Sequence, residues 1–463
     1  MASEETPLLT DQAVIDHEAV YKRFTPGHKR IILAITALVA TFPVYTSGMF
    51  VPLIPQIARD LDSTPSVVSL AVSLSVLANA VGSLTWASYS GFYGRRPILL
   101  LSMLTLAVAS VGSGSASSVP SLLIWRIIQA FGAASGLSVG IAVLADIYKM
   151  EERGTASGAF FGAILFGMAL APTIAGASAY YWSWRTTQYQ LFWAAALAFI
   201  LTYQFQPETS QPGARGLDKL IEKEGRSRWV WLNPFKNIIL LRSPNVLFIS
   251  LAEGCVVITD YVLLVPIAYT FGQKYGITNE AIIGALCIPV GLGNIIGSNL
   301  AGRYSDKLVI SLRERRGGVW VPEDRLRATL LGGIILTPCS ILVSGFAIQF
   351  TEGRLSIIIN TICLVLNGVG VSVVFNPANA YLVDILHDRS AEVTSANMAV
   401  RCVIVAVLVG FIIPSLETFG VAATFAGAAG ISWLGYGLIC LVIVYGGRLR
   451  AWVDLGFSTQ QNN

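Results

Sequence analysis

Gly91-Phe92-Tyr93-Gly94-Arg95-Arg96-Pro97 and Gly302-Arg303-Tyr304-Ser305-Asp306-Lys307 are two short cationic stretches, one in each half of the chain. Each closes a long apolar segment that is the second in its half. Gly-rich basic turns that recur once per half between hydrophobic spans predict a membrane protein built from two related helical bundles. In the first stretch Arg95 and Arg96 are expected to end a helix, where a cation complements the helix dipole.

Composition supports a membrane class. The chain has 463 residues, 54% hydrophobic and only 13% charged, with a mean hydropathy of +0.65. Soluble domains carry roughly a quarter charged residues, so an ordinary globular enzyme is excluded. No basic stripe lies on a soluble face, which argues against nucleic acid as a partner. The six cysteines (Cys255, Cys287, Cys339, Cys363, Cys402 and Cys440) all fall inside apolar runs and match no zinc spacing. They read as small apolar core residues. No cleavable signal peptide is expected, because the first apolar run begins near Ile31 after a polar stretch of mixed charge.

A membrane crossing takes about 20 apolar residues. On that length the chain divides into twelve spans: 30–52, 66–90, 96–116, 120–146, 155–181 and 185–205 in the first half, then 243–271, 280–302, 326–349, 355–384, 391–415 and 420–446 in the second. The expected domains are a tail at 1–29, a six-helix bundle at 30–206, a charged linker at 207–242, a second bundle at 243–447 and a tail at 448–463. Trp229 and Trp231, in the linker before the seventh span, read as interfacial anchors. Of the 31 Lys and Arg residues, 25 then fall on one side and four on the other. That asymmetry places both termini in the cytoplasm. The halves also echo each other, with Leu144-Ala145-Asp146 near the end of the fourth span and Leu382-Val383-Asp384 near the end of the tenth.

Several motifs resemble a known family. Gly91–Arg96 resembles the loop 2/3 signature Gly-x-x-x-Asp-x-x-Gly-Arg-Arg of the major facilitator superfamily. Arg126-Ile127-Ile128-Gln129-Ala130-Phe131-Gly132 resembles its fourth-span signature. Gly162, Gly167, Ala171, Pro172 and Gly176 are similar to the Gly/Pro-rich fifth-span signature of drug:proton antiporters, and Pro322-Glu323-Asp324-Arg325-Leu326 is similar to fungal members of the twelve-span branch. The departures are specific: the loop 2/3 acid is Gly91 here and its leading Gly is Ala87, whereas the second copy keeps Gly302 and Asp306. The resemblance covers nearly the whole chain. It implies an all-α membrane fold of two pseudo-symmetric six-helix bundles and secondary active transport by alternating access. The fifth-span motif implies proton antiport with export of small amphipathic molecules (drugs, toxins or secondary metabolites). Proton-coupled uptake by symport is the alternative. Both are driven by an ion gradient, with no bound cofactor or metal.

Candidate site residues follow from charge and polarity in apolar surroundings. Arg126 lies inside the fourth span, where a charge costs roughly 2.5–3.5 kcal/mol on insertion scales. It either faces a cavity or snorkels, and the resemblance implies a part in proton coupling. Glu253 and Asp260 are seven residues apart in the seventh span, so they share one helix face about 10.5 Å apart. They are candidates for proton coupling or for binding a cation. Arg401, in the eleventh span, is expected to neutralise Glu253, Asp260 or Asp384. Asn79, Gln129, Asn294, Asn367, Asn376 and Asn379 are polar positions for a cavity or for helix–helix hydrogen bonds, and Tyr45, Tyr261, Tyr269, Phe375 and Tyr381 supply aromatic surface. Arg95, Arg96, Gly302 and Asp306 are the gating candidates, with plain positive-inside anchoring as the other reading. Gly167, Pro172 and Gly176 mark the fifth-span motif, and Gly291, Gly293 and Gly297 have the spacing of close helix packing.

The three histidines, His17, His28 and His387, lie at tails or span edges. An intramembrane enzyme is therefore not expected. The expected partners are a small-molecule substrate, protons and the bilayer, with a monomer as the unit because one chain carries both bundles. The plasma membrane is the expected location. Glu4-Glu5-Thr6-Pro7-Leu8-Leu9 resembles an acidic dileucine signal and leaves a vacuolar or endosomal membrane as the other reading.

Overall fold

The computed structural model describes residues 23–148, 150–210, 215–225, 229–267, 272–276, 279–319, 321–386 and 390–453. The acidic dileucine stretch, His17, Tyr269, His387 and Arg389 lie outside the described residues. The architecture is all-α. In the first half the long helices are α1 (Pro26–Gly48), α2 (Pro65–Tyr93), α3 (Arg95–Gly114), α4 (Val119–Ala133, continued after a break at Ala134 by Ser135–Ile147), α5 (Met150–Tyr181) and α6 (Trp184–Phe205). In the second half they are α7 (Pro244–Leu264), α8 (Ile288–Arg315), α9 (Thr337–Phe350), α10 (Gly353–Ile385), α11 (Ser390–Phe419) and α12 (Val421–Trp452). Ten of the helical stretches among the described residues are long and apolar enough to cross a membrane. The other two, α5 and α6, have 32 and 22 residues. Thr187, Gln188 and the polar residues beside them thin the hydropathy of α6, and both named side chains are fully buried.

The helix starts follow local chemistry. Thr25 accepts a hydrogen bond from the His28 N–H ahead of Pro26, and Thr64 accepts one from the Val67 N–H ahead of Pro65. Each is a side-chain N-cap with proline in the first turn, where its missing N–H costs nothing. On the lipid-facing surface Trp193, Phe411, Leu434 and Val444 are each more than 60% exposed, a surface a soluble protein would not keep in contact with water. Within the second half, α8 and α10 pack backbone to backbone. A Cβ at Gly293 would stand 2.2 Å from the Val365 carbonyl oxygen, and one at Gly297 2.6 Å from that of Val369. The small-residue spacing in α8 thus does helix packing. The cysteines form no disulfide, and while Cys287, Cys363 and Cys402 are buried as expected, Cys339 is exposed.

Two expectations about the cationic stretches are corrected. The second stretch is not a turn, because α8 runs through Gly302–Lys307 and ends at Arg315. The bend follows it, with Gly317 and Gly318 at φ +68° and +99°. In the first half the chain breaks at Gly94, whose φ of +107° and ψ of 166° suit only glycine. Arg95 and Arg96 therefore begin α3 instead of ending α2. A helix N-terminus disfavours cations, so another group has to offset them.

The two halves meet through α2 against α11 and α5 against α8. The polar contacts between them lie toward the face opposite the basic loops. Ser66 donates to Glu417 Oε1 at 3.2 Å, Thr173 donates to the Gly284 carbonyl at 3.3 Å, and Ser73 donates to the Ala406 carbonyl. Gly284 sits so close to α5 that a Cβ there would be 2.3 Å from the Pro172 carbonyl oxygen. At the basic face the linker runs between the halves. It holds a helix at Gly216–Glu224 and a 3₁₀ segment at Pro234–Arg242. Trp229 stacks on Tyr93 of α2 at 5.1 Å, and the Val230 N–H donates to Tyr93 Oη at 2.8 Å. Further along, Asn237 donates to Ser395 Oγ of α11 at 3.3 Å. Trp231 is 84% exposed, as expected of an interfacial anchor, while Trp229 is tied to α2.

Candidate functional site: a central cavity between the bundles

A cavity of about 270 Å³ lies between the two halves. Its wall is mostly apolar, with Val76, Phe161, Ile164, Leu264 and Val405 among its contributors. A few polar groups converge on it: Asn79 from α2, Asp260 and Tyr261 from α7, Asn294 from α8, Asn376 from α10 and Arg401 from α11. Four of the eight cavity candidates, Asn79, Asp260, Asn376 and Arg401, thus share one wall. Asn376 donates to Ser298 Oγ at 2.8 Å, and Asn79 keeps a buried Oδ1 with no hydrogen-bond partner.

The two carboxylates of α7 have different surroundings. Glu253 is 1% exposed and accepts at Oε2 from Arg401 Nη1 at 3.0 Å and from Asn397 Nδ2 at 2.9 Å. Arg401 also lies over the Phe375 ring, 4.6 Å from its centroid. Of the three acids open to it, Arg401 pairs with Glu253. Asp384 is held by Arg325. Asp260 is 3% exposed and accepts from Asn367 Nδ2 at 2.7 Å, with the Asn294 side chain as a second partner. The Asn367 oxygen in turn accepts from Ser340 at 3.1 Å. Among the described residues no cation pairs with Asp260. It is a buried carboxylate on the cavity wall supported by amides alone.

Arg126 and Gln129 do not line the cavity. Arg126 is fully buried within the first bundle, donates to Gln129 Oε1 at 2.6 Å and to the Thr46 carbonyl at 3.0 Å, and lies 4.5 Å from the Phe50 ring centroid. Gln129 passes the network on to Ser110 at 2.9 Å and Gln188 at 3.0 Å. The snorkelling reading fails, since the guanidinium is enclosed. Among the described residues no acid pairs with it. Tyr381 is also away from the cavity: it sits at the basic end of the second bundle, accepting from Asn245 at 3.0 Å and from Arg450 at 3.4 Å. It is therefore corrected from a cavity aromatic to a member of a helix-end network. Tyr45 faces a separate groove on the outer surface of the first bundle.

At the basic face each half carries its own charge cluster. Arg95 Nε pairs with Asp146 at 3.0 Å. Arg325 Nε pairs with Asp384 at 2.7 Å, and its Nη1 reaches Asp306 at 3.2 Å. The pairs are related by the repeat, and both stay within one half. Arg96 donates to the Tyr203 carbonyl at 2.6 Å. Glu208 supplies the group the α3 N-terminus requires, accepting from the Arg95 N–H at 2.9 Å, the Arg96 N–H at 3.2 Å and Ser210. Burial alone would raise the Glu208 carboxyl, but these hydrogen bonds outweigh it and hold the group below the usual 4.5. Glu323 and Asp324 are buried acids paired with Arg450 and Arg316. A Cβ at Gly302 would meet nothing within 4 Å, so no close approach requires a glycine there. In the fifth-span motif Gly167 meets Thr41 of α1, Pro172 meets Gly284 of the short helix Glu280–Ala285 that precedes α8, and Gly176 is buried.

Glu208 and the Arg450–Glu323 pair are the functional-looking residues that sequence reasoning missed. Pro207-Glu208-Thr209 directly follows the sixth span and was legible as a stretch, but nothing in the sequence ties it to a loop 112 residues earlier.

The family model of the Major Facilitator Superfamily matches residues 33–410. The chain belongs to this superfamily. It is similar to the MFS antiporter QDR3 of Candida albicans, with 22% identity over 87% of this chain and 76% of that protein. It is similar as well to the efflux pump radE of Floropilus chiversii, with 24% identity over 97% of this chain and 86% of the other. Among solved structures it shares the fold of the xylose transporter XylE from E. coli in a partially occluded inward-open conformation, at TM-score 0.65 and 14% identity over 90% of this chain and 98% of that one.

Proposed function

We propose that this Major Facilitator Superfamily transporter exports small amphipathic molecules in exchange for protons, with Asp260 as the group that carries the proton. The observation behind the reading is Asp260 itself, a carboxylate on the wall of an apolar cavity between the halves with no cation paired to it among the described residues. A group in that position exchanges a proton with whichever side the cavity faces. Protonation from one side and release to the other couples the gradient to alternation of the two bundles. Glu253 takes no part in the exchange, since Arg401 holds it. The apolar wall with few polar groups suits an amphipathic ligand. The names of QDR3 and radE, an antiporter and an efflux pump, support the direction.

In this reading the contacts through Gly284 and Ser66 close the outer side, and the basic loops and both termini face the cytoplasm at the plasma membrane. The test uses proteoliposomes with an acidic lumen, to the outside of which candidate amphiphiles identified in an export screen in exporter-deficient cells are added. Antiport shows as substrate-induced alkalinisation of the lumen, and Asp260→Asn abolishes it while substrate exchange between the two sides continues. Normal proton flux in Asp260→Asn refutes the assignment, and a proton flux of the opposite sign identifies symport.

A further inference from the structure

A second cavity, of about 670 Å³, lies on the outer surface of the first bundle between α1, α5 and α6. It is a groove, and its wall is almost entirely apolar. Its floor is made of small residues, Ala34 and Ala37 of α1, Ala163 and Gly167 of α5 and Ala194 of α6. Gly167 brings α5 onto α1: a Cβ there would stand 2.0 Å from Thr41 Cγ2. Leu38 and Ile174, on its rim, are 36% and 39% exposed, so the groove faces the surroundings of the protein and not the central cavity.

The groove has a length and a charged end. It follows one face of α1 from Arg30 to Tyr45, about 22 Å at 1.5 Å per residue. Half of a bilayer with its headgroup zone is also about 22 Å. Arg30 stands at the end on the basic face, exposed and without a hydrogen-bond or ion-pair partner among the described residues. A convex helix surface gives ordinary lipid neighbours nothing to select. A concave apolar channel one leaflet long that ends in an exposed guanidinium selects both an extended tail and an anionic head.

The geometry points to a binding site for one anionic phospholipid of the leaflet on the basic face. One acyl chain lies in the groove along α1, and the phosphate sits on Arg30. Guanidinium–phosphate pairing supplies headgroup preference, and the tail gains from each methylene it buries. Because the groove floor is the α1–α5 contact at Gly167, an occupied groove supports the helix that carries the fifth-span motif. The inference depends on the chain spanning a bilayer and not on which substrate it transports.

Native mass spectrometry of the full chain in detergent tests it, with phosphatidylserine and phosphatidylcholine supplied at equal concentration. One phosphatidylserine is expected to remain bound in preference to phosphatidylcholine. Arg30→Gln weakens phosphatidylserine roughly fivefold and leaves phosphatidylcholine unchanged. Ala34→Phe, at an exposed position that tolerates the change, fills the groove and reduces retention of both lipids. Equal retention of the two lipids by the unaltered protein overturns the proposal, and so does unchanged retention in Ala34→Phe. Displacement of phosphatidylserine by an uncharged alcohol of matching tail length also overturns it, because the groove then reads tails and not the head.

Discussion

Replacing Arg401 by Met is the sharpest test of how the cavity wall is held together. Glu253 is enclosed, with Oε2 accepting from Arg401 at 3.0 Å and Asn397 at 2.9 Å, and with Oε1 already unpartnered. Removing Arg401 leaves a buried carboxylate with one amide donor. Breaking a buried pair from one side costs about 3–5 kcal/mol. The Arg401 side chain retains 12% exposure on the cavity side, which places the expected cost at the lower end, about 3 kcal/mol. Part of that is the contact with Phe375, about 0.5–2 kcal/mol, which no change at Glu253 restores. Glu253→Gln combined with Arg401→Met removes both charges and is expected to recover about 1–2 kcal/mol of the loss. The assay is reversible unfolding of the purified protein in detergent, run as a double-mutant cycle. The reasoning fails if Arg401→Met changes stability by less than about 0.5 kcal/mol, the range of a surface substitution, or if the two single costs simply add.

Three further outcomes are expected. Gly94→Ala forces a Cβ to within 2.4 Å of Glu208 Oε2 at a φ of +107°, costing about 1–3 kcal/mol in backbone strain alone. The contribution of Glu208 to stability is fully present above pH 4.5 and is lost as the pH falls through its lower folded value, so acid titration of Gly94→Ala shows a smaller stability loss there than the unaltered chain. Asp306→Asn loses an ion pair whose acid is 66% exposed, whereas Asp384→Asn loses one at 2.7 Å that is 26% exposed. The first is expected to cost under about 1 kcal/mol and the second about 1.5–3, by the same unfolding assay. Gly284→Ala pushes the short helix Glu280–Ala285 away from α5. With Cys287 as the sole cysteine, membrane-impermeant maleimide applied at the face opposite the basic loops is expected to label it several-fold faster.

The sequence carried the twelve-helix plan because apolar run length and charge asymmetry are local signals. Helix starts at Pro26 and Pro65 were equally local. The errors arose where partners come from far along the chain. Arg95 looked like a helix end because a Gly-rich basic turn is ambiguous about which helix it belongs to. Only Glu208, 113 residues on, shows that the charge caps a beginning. Gly302–Lys307 looked like a turn through its likeness to the first stretch, yet continuous i→i+4 hydrogen bonding carries α8 through it. In the site, Glu253 and Asp260 were visible as a pair on one face. Their separation into a neutralised acid and an amide-supported acid depends on Arg401 and Asn367, from two other helices. Tyr381 was misplaced because aromatic character in a span says nothing of depth.

The linker has a mechanical consequence. Val230 is fixed to α2 through Tyr93, and Asn237 to α11 through Ser395. Asn237 lies seven positions after Val230, and part of that stretch is coiled as a 3₁₀ segment. The backbone between them reaches about 18 Å as folded and about 25 Å if drawn straight. While both fastenings hold, the linker is a check strap: the basic ends of the two bundles can part only as far as those few residues allow, and wider parting has to tear one fastening loose.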